Sequence, residues 1–549
     1  MDGNERPDHT GGEHQAVTII AEGPTTRGDD GLPLTTQVRI PTERLLPGPV
    51  GARLEVVVRG QDGDRLPQDL TGGTGWRLGD WAAGGSAAPL VSDPGFLAQH
   101  VYGVVSDTLS TIERTLGRRI SWSGGRRLVV DADADIPAAE TGYRNADCRI
   151  ALGRQEGIPL ALYRDLLVHE VTHAVLAGYR PRWSDRWAML DQFSLHESLA
   201  DLMALLSVFS SEEVVQRLIE VAMRRDDGPA ADPAGRLDAA LLRSGLFGLA
   251  DDLFGRGRGL RSPLAAAPPA GWRTSLEPHA RAAGIVHAVM EAVLRLWNDR
   301  LEVPGGHSNA YLVASAGAEV GLHLRGMLVR GLAYMVPVDA GPEDLLRGIL
   351  AADQTVVPDD PRGYRRTLAA CFAEVGVPAG DDATWMGTAD LARLEYAFGN
   401  GMLDAGPEEV VRFVWNNSAL TSALALDPSR GLAIDGVRTS TRISPSGFAV
   451  TETGASLVQE FVADAPEARA LGVATESPVA FRGGALLRFD DGGRLVFASI
   501  KPVLDIDRQQ ARLDQLRRER PTGGGDPGSA GFRDRMLELH ARRWAGARR

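Results

Sequence analysis

The sequence contains only two cysteines, Cys148 and Cys371, among its 549 residues. Two thiols cannot form a disulfide framework, and they are too few for a zinc site built from cysteine. Any metal that this protein binds therefore has to be held by histidine and carboxylate side chains.

Lysine is almost absent, since Lys501 is the only one and arginine supplies the rest of the 59 basic residues. Acidic residues number 72, and the formal net charge is −13. Proteins that hold nucleic-acid phosphates need basic residues clustered on one face. This charge balance argues against a nucleic-acid partner, and the arginine bias is typical of a GC-rich bacterial genome.

The first part of the chain has no apolar run long enough for a signal peptide or a membrane span. Residues 1–12 are polar and acidic. We therefore expect a cytoplasmic protein that does not enter a membrane. The alternative is export by a route that does not use a recognisable signal peptide. Apolar residues make up 43% of the chain and charged residues 24%, which is typical of a globular protein.

The segment LLVHEVTHAVLAG contains two histidines four residues apart, His169 and His173, and Glu170 directly follows the first. Residues four apart lie on one face of a helix, so both imidazoles can bind one cation. Zinc favours neutral nitrogen ligands, and a catalytic site needs three protein ligands with a fourth position for water. By chance this motif would occur in roughly one chain of this size in a hundred, so the motif alone does not decide the function.

A second predicted helix, DQFSLHESLADLMALL, offers the third ligand in Glu197, and Asp201 follows one turn later on the same face. We predict that Glu197 binds the metal and that Asp201 accepts the ring N–H of a ligating histidine. Two carboxylates on an apolar helix are costly to bury without a cation or a donor. The alternative is that these two carboxylates form a polar stripe exposed to solvent.

His196 precedes Glu197 and points in a different direction from the helix axis. It is either a residue that packs behind the metal ligands or a polar surface residue.

HEVTHAVLAG followed by HESLADLMALL resembles the HExxH and ExxxD signatures of thermolysin-like gluzincin zinc metallopeptidases, especially a bacterial branch without a secretion signal. The resemblance covers about residues 93–377. It implies a two-lobed peptidase with the active-site helix at the base of the cleft, acting on a peptide or protein substrate. The implied reaction is hydrolysis by a zinc-activated water with Glu170 as the general base.

The same resemblance implies two residues that act on the transition state. In SLEPHARAAGIVHAVMEAV, His279 resembles the family histidine that stabilises the oxyanion, and Glu277 is placed to orient it. A surface histidine at a helix start is the alternative for His279, and His287 is the competing candidate. For the family's oxyanion tyrosine the nearest candidate is Tyr179, for which packing is the simpler interpretation.

The substrate-binding edge strand of the family corresponds to TGYRNADCRIALG in this sequence. Its Asn-Ala-aromatic signature is altered here, so Tyr143, Asn145 and Ala146 are the candidate substrate-binding residues. Calcium sites occur in secreted relatives, but no Asp-rich loop clearly matches one, so calcium binding is left open.

The predicted fold class is α+β, because strand-like period-two segments precede and follow a long helical region. The C-terminal segments include two runs that flank Asp490–Gly493, which suits a hairpin turn. Asp93 and Pro94 signal the start of a helix, and Gly178 signals the end of the helix that carries His169 and His173. We expect six parts: a β-rich N-terminal segment (1–85), a catalytic N-lobe with the HExxH helix (86–205), a helical C-lobe (206–378), a connector (379–430), a β module (431–505) and an Arg-rich tail (506–549).

Two alternatives to a general peptidase stay open at this point. One is a gluzincin fold that has lost activity and serves as a binding scaffold. The other is a processing protease that cuts a single intracellular partner, selected by the β module and the tail. The sequence also predicts that the β module folds independently, so that a chain ending near Asp427 keeps its activity. It does not indicate an oligomeric state.

Overall fold

The computed structural model describes residues 14–28, 31–46, 48–58, 87–185, 187–223, 270–301, 310–379, 407–427, 429–444 and 447–519. The longer ranges outside this set are 1–13, 59–86, 224–269, 302–309, 380–406 and 520–549, and with them parts of the predicted N-terminal segment, helical C-lobe, connector and tail. The described chain is a mixture of helices and strands, which confirms the α+β class.

The N-terminal part contains three small sheets. Strands β1 (His14–Ile20) and β2 (Thr35–Pro41) form an antiparallel pair. The second sheet is formed by β3 (Leu54–Val57), β4 (Leu128–Asp131), β5 (Gly142–Arg144) and β6 (Arg149–Ala151). Its order is β3-β4-β6-β5, and β5 runs antiparallel to β6 at one edge. A short hairpin of β7 (Arg154–Gln155) and β8 (Ile158–Pro159) follows.

Nine helices lie between β3 and residue 375 of the described chain. They are α1 (Ala87–Ser92), α2 (Pro94–Leu116), α3 (Arg164–Tyr179), α4 (Leu190–Ser207), α5 (Glu212–Met223), α6 (Pro278–Leu301), α7 (Ala310–Leu332), α8 (Pro342–Val356) and α9 (Tyr364–Glu374). Asp93 caps α2 by accepting the N–H groups of Gly95 and Phe96 at 2.7 and 3.1 Å. This start agrees with the sequence prediction.

Helices α3 and α4 pack against each other at the centre of the main hydrophobic core, and α4 also packs against α6. In α3 only Asp165 and Gly178 are not buried, and in α4 only Asp191. A helix buried on all sides tolerates polar side chains only where they have partners. The polar residues of these two helices therefore need a specific explanation.

Helix α3 continues one residue beyond the predicted stop at Gly178. A Cβ atom at this position would collide with the main-chain carbonyl oxygen of Ser121. The glycine is therefore required for the close approach of two backbones, which the local sequence does not reveal.

Among the described residues, α7 is the one helix that is long and apolar enough to cross a membrane. However, 56% of its apolar stretch is buried inside the protein, where α7 packs against α5, α6 and α8. This is the environment of a core helix.

The C-terminal residues form an antiparallel sheet of β9 (Ala433–Ile443), β10 (Ala449–Ala463), β11 (Val479–Phe489) and β12 (Leu495–Lys501), in the order β12-β11-β10-β9. Its flanking helices are α10 (Pro407–Asn416), α11 (Ser418–Leu424), α12 (Ala465–Ala470) and α13 (Ile506–Glu519). The predicted hairpin is confirmed, since Asp490 N–H donates to the Arg494 carbonyl at 2.9 Å and Gly493 has φ 76°.

Hydrogen bonds to a group of buried ion pairs join this C-terminal sheet to the helical part of the chain. Glu452 of β10 accepts a hydrogen bond from Tyr334 at 2.5 Å and forms ion pairs with Arg488 at 2.7 Å and Arg442 at 3.0 Å. The three charged side chains are at most 4% exposed. Arg488 also donates to the carbonyl of Ala333 just after α7. The ion pairs themselves lie within the sheet, but separating it from the helical part would remove its hydrogen bonds with Tyr334 and Ala333, so these contacts favour a sheet that folds together with the helices.

We expect Glu452→Gln to lower the free energy of unfolding by about 3–5 kcal/mol, because two buried arginines lose their counter-charge. Urea unfolding followed by circular dichroism measures this change. Glu476→Gln is the matched control, since its side chain is 96% exposed. A chain that ends at Asp427 should also fold poorly, because Asp344 of α8, which is 2% exposed, would lose its ion pair with Lys501. Equal stability of wild type and Glu452→Gln would contradict the first expectation, and cooperative unfolding of the shortened chain at the wild-type temperature would support the separable module.

Candidate metal centre

Three side chains from α3 and α4 meet in the core: His169, His173 and Glu197. Their ligand atoms all lie within 4.8 Å of one another. The Nε2 atoms of His169 and His173 are 3.1 Å apart, and each lies 3.7 Å from an oxygen of Glu197. In the part of the chain that the structure describes, no second group of histidine, cysteine and acidic residues has this geometry.

The donor set fits a single metal ion. In a tetrahedral zinc site with ligands at about 2.0–2.2 Å, neighbouring ligand atoms are about 3.3–3.5 Å apart. The observed separations of 3.1 and 3.7 Å lie on either side of this range. Two imidazoles and a carboxylate are also costly to bury together without a shared cation. These residues, all predicted from the sequence, can therefore hold a metal.

Asp201 lies one turn after Glu197 and contacts the first histidine. Its Oδ1 is 3.0 Å from His169 Nδ1, and the carboxylate is fully buried. A ring nitrogen that donates to this carboxylate leaves Nε2 as the nitrogen directed at the metal. The structure thus places Asp201 where the sequence predicts it.

His196 lies behind the second histidine. Its ring stacks on that of His173 with centroids 5.8 Å apart and an angle of 17° between the planes. Its Nε2 is 3.1 Å from Ser184 Oγ. Because it is only 1% exposed, burial lowers the pKa of His196 to about 4, and the ring is neutral near pH 7. The prediction that His196 is a polar surface residue is therefore wrong.

Glu170 lies beside the metal ligands and contacts the edge strand β5. Its Oε2 accepts the backbone N–H of Tyr143 at 2.7 Å. The side chain is buried, so this hydrogen bond holds the carboxylate between α3 and β5. The sequence motif predicts the position of Glu170 on α3 but contains no information about this main-chain donor.

The three candidate substrate-binding residues do not share one environment. Tyr143 belongs to β5, and its hydroxyl lies 3.0 Å from Ser123 Oγ and 3.2 Å from Asn145 Oδ1. Asn145 and Ala146 lie in the turn between β5 and β6, with Ala146 exposed. Of these three residues, Tyr143 is the one that donates a hydrogen bond to Glu170.

The structure brings His279 to the metal group from the start of α6. Its Nε2 is 2.9 Å from Glu197 Oε2, and its Nδ1 is 2.6 Å from Glu277 Oε1. Burial alone would raise the pKa of Glu277, but hydrogen bonds from His279 and from main-chain N–H groups hold it below its ordinary value. An ionised Glu277 therefore orients the His279 ring, and the interpretation as a surface histidine is wrong.

His287, the competing histidine, lies further along α6 near a different carboxylate. Arg295, and more weakly His287, hold the pKa of Glu374 below its ordinary value. Glu374 belongs to α9, whereas the metal group lies on α3 and α4. The surroundings of His287 therefore differ from those of His279.

Comparisons with known proteins do not identify a family. No family model matches the chain, and no curated protein matches its sequence. The resemblance to gluzincins rests on the motifs quoted above, and the function has to be inferred from the geometry of the site.

Proposed function

We propose that this protein is a zinc-dependent endopeptidase of the thermolysin-like gluzincin type, with two lobes on either side of α3. The observation that carries the proposal is the convergence of His169, His173 and Glu197 beside a fourth buried group, Glu170. A structural zinc site has four protein ligands, commonly cysteines, whereas three ligands of nitrogen and oxygen are typical of catalytic zinc.

His169, His173 and Glu197 would hold the zinc, which when bound would supply a water of lowered pKa and a positive charge that polarises a carbonyl group. Glu170 accepts the proton of the attacking water and then donates it to the leaving nitrogen. Since the N–H of Tyr143 holds one oxygen of Glu170 in place, the carboxylate needs little reorganisation for this transfer. His279 is oriented by Glu277 through Nδ1, and its Nε2 lies beside the ligand Glu197, from where it would donate a hydrogen bond to the developing oxyanion.

The edge position of β5 supports a peptide as the substrate. β5 pairs with β6 on one side, and the N–H of Tyr143 is directed to Glu170 instead. An extended peptide can add to an open strand edge through main-chain hydrogen bonds, largely independent of its side chains. A substrate bound along this edge has its backbone next to Glu170, which is where peptide hydrolysis requires it.

The test is zinc-dependent cleavage of an unfolded protein. We expect purified protein to contain about one zinc per chain by elemental analysis and to cleave casein. Treatment with 1,10-phenanthroline should abolish cleavage, and added zinc but not magnesium should restore it, because magnesium prefers oxygen ligands. Circular dichroism before and after chelation controls for unfolding. Full zinc occupancy without cleavage of casein or of a mixed peptide library would refute the general endopeptidase and favour the scaffold or the partner-specific protease.

A further inference from the structure

Three arginines surround the ring of Tyr179 at the C-terminal end of α3. The guanidinium carbons of Arg180, Arg118 and Arg438 lie 5.0, 5.5 and 5.9 Å from the centre of the ring. The three residues come from separate parts of the chain: Arg180 follows α3, Arg118 lies just after α2, and Arg438 belongs to β9. We call Tyr179 and these three residues the arginine cluster.

Within the described residues, none of the three arginines forms an ion pair with a carboxylate. The acidic groups nearby among the described residues already have other partners. Asp435 binds Arg182, Glu113 binds Arg53, and Glu452 binds Arg442 and Arg488. Arg180 Nε and Arg118 Nη1 are buried and have no hydrogen-bond partner. Arg482, a buried arginine elsewhere in the described chain, binds both Asp185 and Glu460, whereas buried Arg164 binds main-chain carbonyls.

The positive charges of the cluster repel one another and lower the pKa values of its arginines. Burial, together with repulsion from Arg438 and Arg488, lowers the pKa of Arg180 to about 10. Burial and repulsion from the same two residues also lower the pKa of Arg118. Arg180 is 4% exposed, and its one hydrogen bond is to the carbonyl of Leu332. Buried charges of one sign are normally balanced by a counter-charge.

The residues that the structure describes supply only part of this counter-charge. The C-terminus of α3 is equivalent to about half a negative elementary charge, against three guanidinium groups. The faces of Tyr179 add a weaker cation–π attraction. Asp435 attracts Arg180 and Glu113 attracts Arg118, but these carboxylates are shared with Arg182 and Arg53, so positive charge stays in excess among the described residues. A phosphate group carries about −1.5 to −2 at neutral pH, which matches this excess better than one carboxylate does.

We propose that the arginine cluster binds a phosphate group, either inorganic phosphate or the phosphate ester of a small molecule. Arginine donates in the planar, paired geometry that phosphate oxygens accept. Arg118 and Arg438 are partly exposed and form the entrance, while Arg180 forms the buried end of the site. The bound phosphate links the ends of α2 and α3 to β9, and so attaches the C-terminal sheet to the helix that holds the metal ligands.

The experiment uses the full chain and inorganic phosphate as the probe. At constant ionic strength, phosphate should raise the melting temperature of the wild type more than chloride or acetate does, because only the folded state forms the site. Isothermal titration calorimetry gives the dissociation constant. Arg118→Gln and Arg438→Gln should each weaken phosphate binding by about tenfold or more. Arg119→Gln, an exposed neighbour of Arg118, is the matched control and should bind phosphate as the wild type does.

The test is specific because the order of the melting temperatures of wild type and Arg438→Gln should reverse when phosphate is added. Without phosphate, Arg438→Gln should melt at or above the wild-type temperature, because repulsion is relieved, and with phosphate it should melt below it. Phosphate bound to a metal at His169, His173 and Glu197 would show no such dependence on Arg438. A parallel titration with glycerol phosphate distinguishes the two sources, since tighter binding of the ester identifies an esterified ligand.

Two outcomes would overturn the proposal. The first is equal stabilisation of the wild type by phosphate and chloride at matched ionic strength, with no heat of phosphate binding by calorimetry. The second is a phosphate response that persists in the Arg118→Gln, Arg438→Gln double variant. The first needs only the wild type, so it decides the question even if the double variant does not fold.

Discussion

Glu170→Gln should lower the rate of peptide hydrolysis by about two to four orders of magnitude, the usual contribution of a positioned general base. Zinc content and melting temperature should stay close to wild type. The glutamine side chain has the same shape, and its amide oxygen can still accept the N–H of Tyr143, so the contact between α3 and β5 is kept. Only the capacity to accept a proton from water is lost.

The measurement is kcat/KM on a peptide that the wild type cleaves, together with elemental analysis of the same preparations. Asp165→Asn is the matched control, because it removes a carboxylate from the same helix outside the metal group. Wild-type turnover by Glu170→Gln would show that Glu170 is not the base, and the metal group would then have a structural role.

Replacing both histidines of α3, in a His169→Ala, His173→Ala double variant, should remove nearly all bound zinc and all detectable peptidase activity. Two of the three ligands are lost, and the third, Glu197, is a single carboxylate. Zinc requires three protein ligands in a catalytic site, so one carboxylate cannot retain it at nanomolar free zinc. The measurement is zinc per chain after dialysis against buffer of defined free zinc, with activity assayed in parallel.

His287→Ala is the matched control for this loss, because His287 is also a buried histidine but lies near Glu374 on α9. It should keep zinc and activity. If the double variant still contained one zinc per chain, the metal would be held elsewhere, and the proposed function would lose its foundation. The phosphate site at the arginine cluster would be unaffected by that result, since it depends on different residues.

The local parts of the fold were predictable from the sequence. The spacing of His169 and His173 predicts a shared helix face, because four residues make about one helical turn. Glu197 and Asp201 follow the same rule on α4. Asp93 predicts the start of α2, and Asp490–Gly493 predicts the hairpin between β11 and β12. In each case the interacting groups are close in the chain, so their geometry is determined by backbone conformation alone.

Interactions between distant segments were not predictable in the same way. The local sequence predicts a helix stop at Gly178, but the glycine is required by the backbone of Ser121. His196 is hydrogen-bonded to Ser184, which lies in the connection between α3 and α4. The C-terminal sheet has a strand pattern typical of a separate module, yet Glu452 is buried together with Tyr334. Periodicity reports which face of an element is apolar, not which element covers it.

The sequence by itself determined which side chains can bind a metal, because a helix places residues at positions i and i+4 side by side wherever the helix lies. Only the tertiary structure decided that α3 and α4 face each other, that His279 reaches Glu197 and that the N–H of Tyr143 holds Glu170. It also decided that three arginines from separate segments meet at Tyr179. These distances result from the packing of the whole core, in which each contact depends on many others.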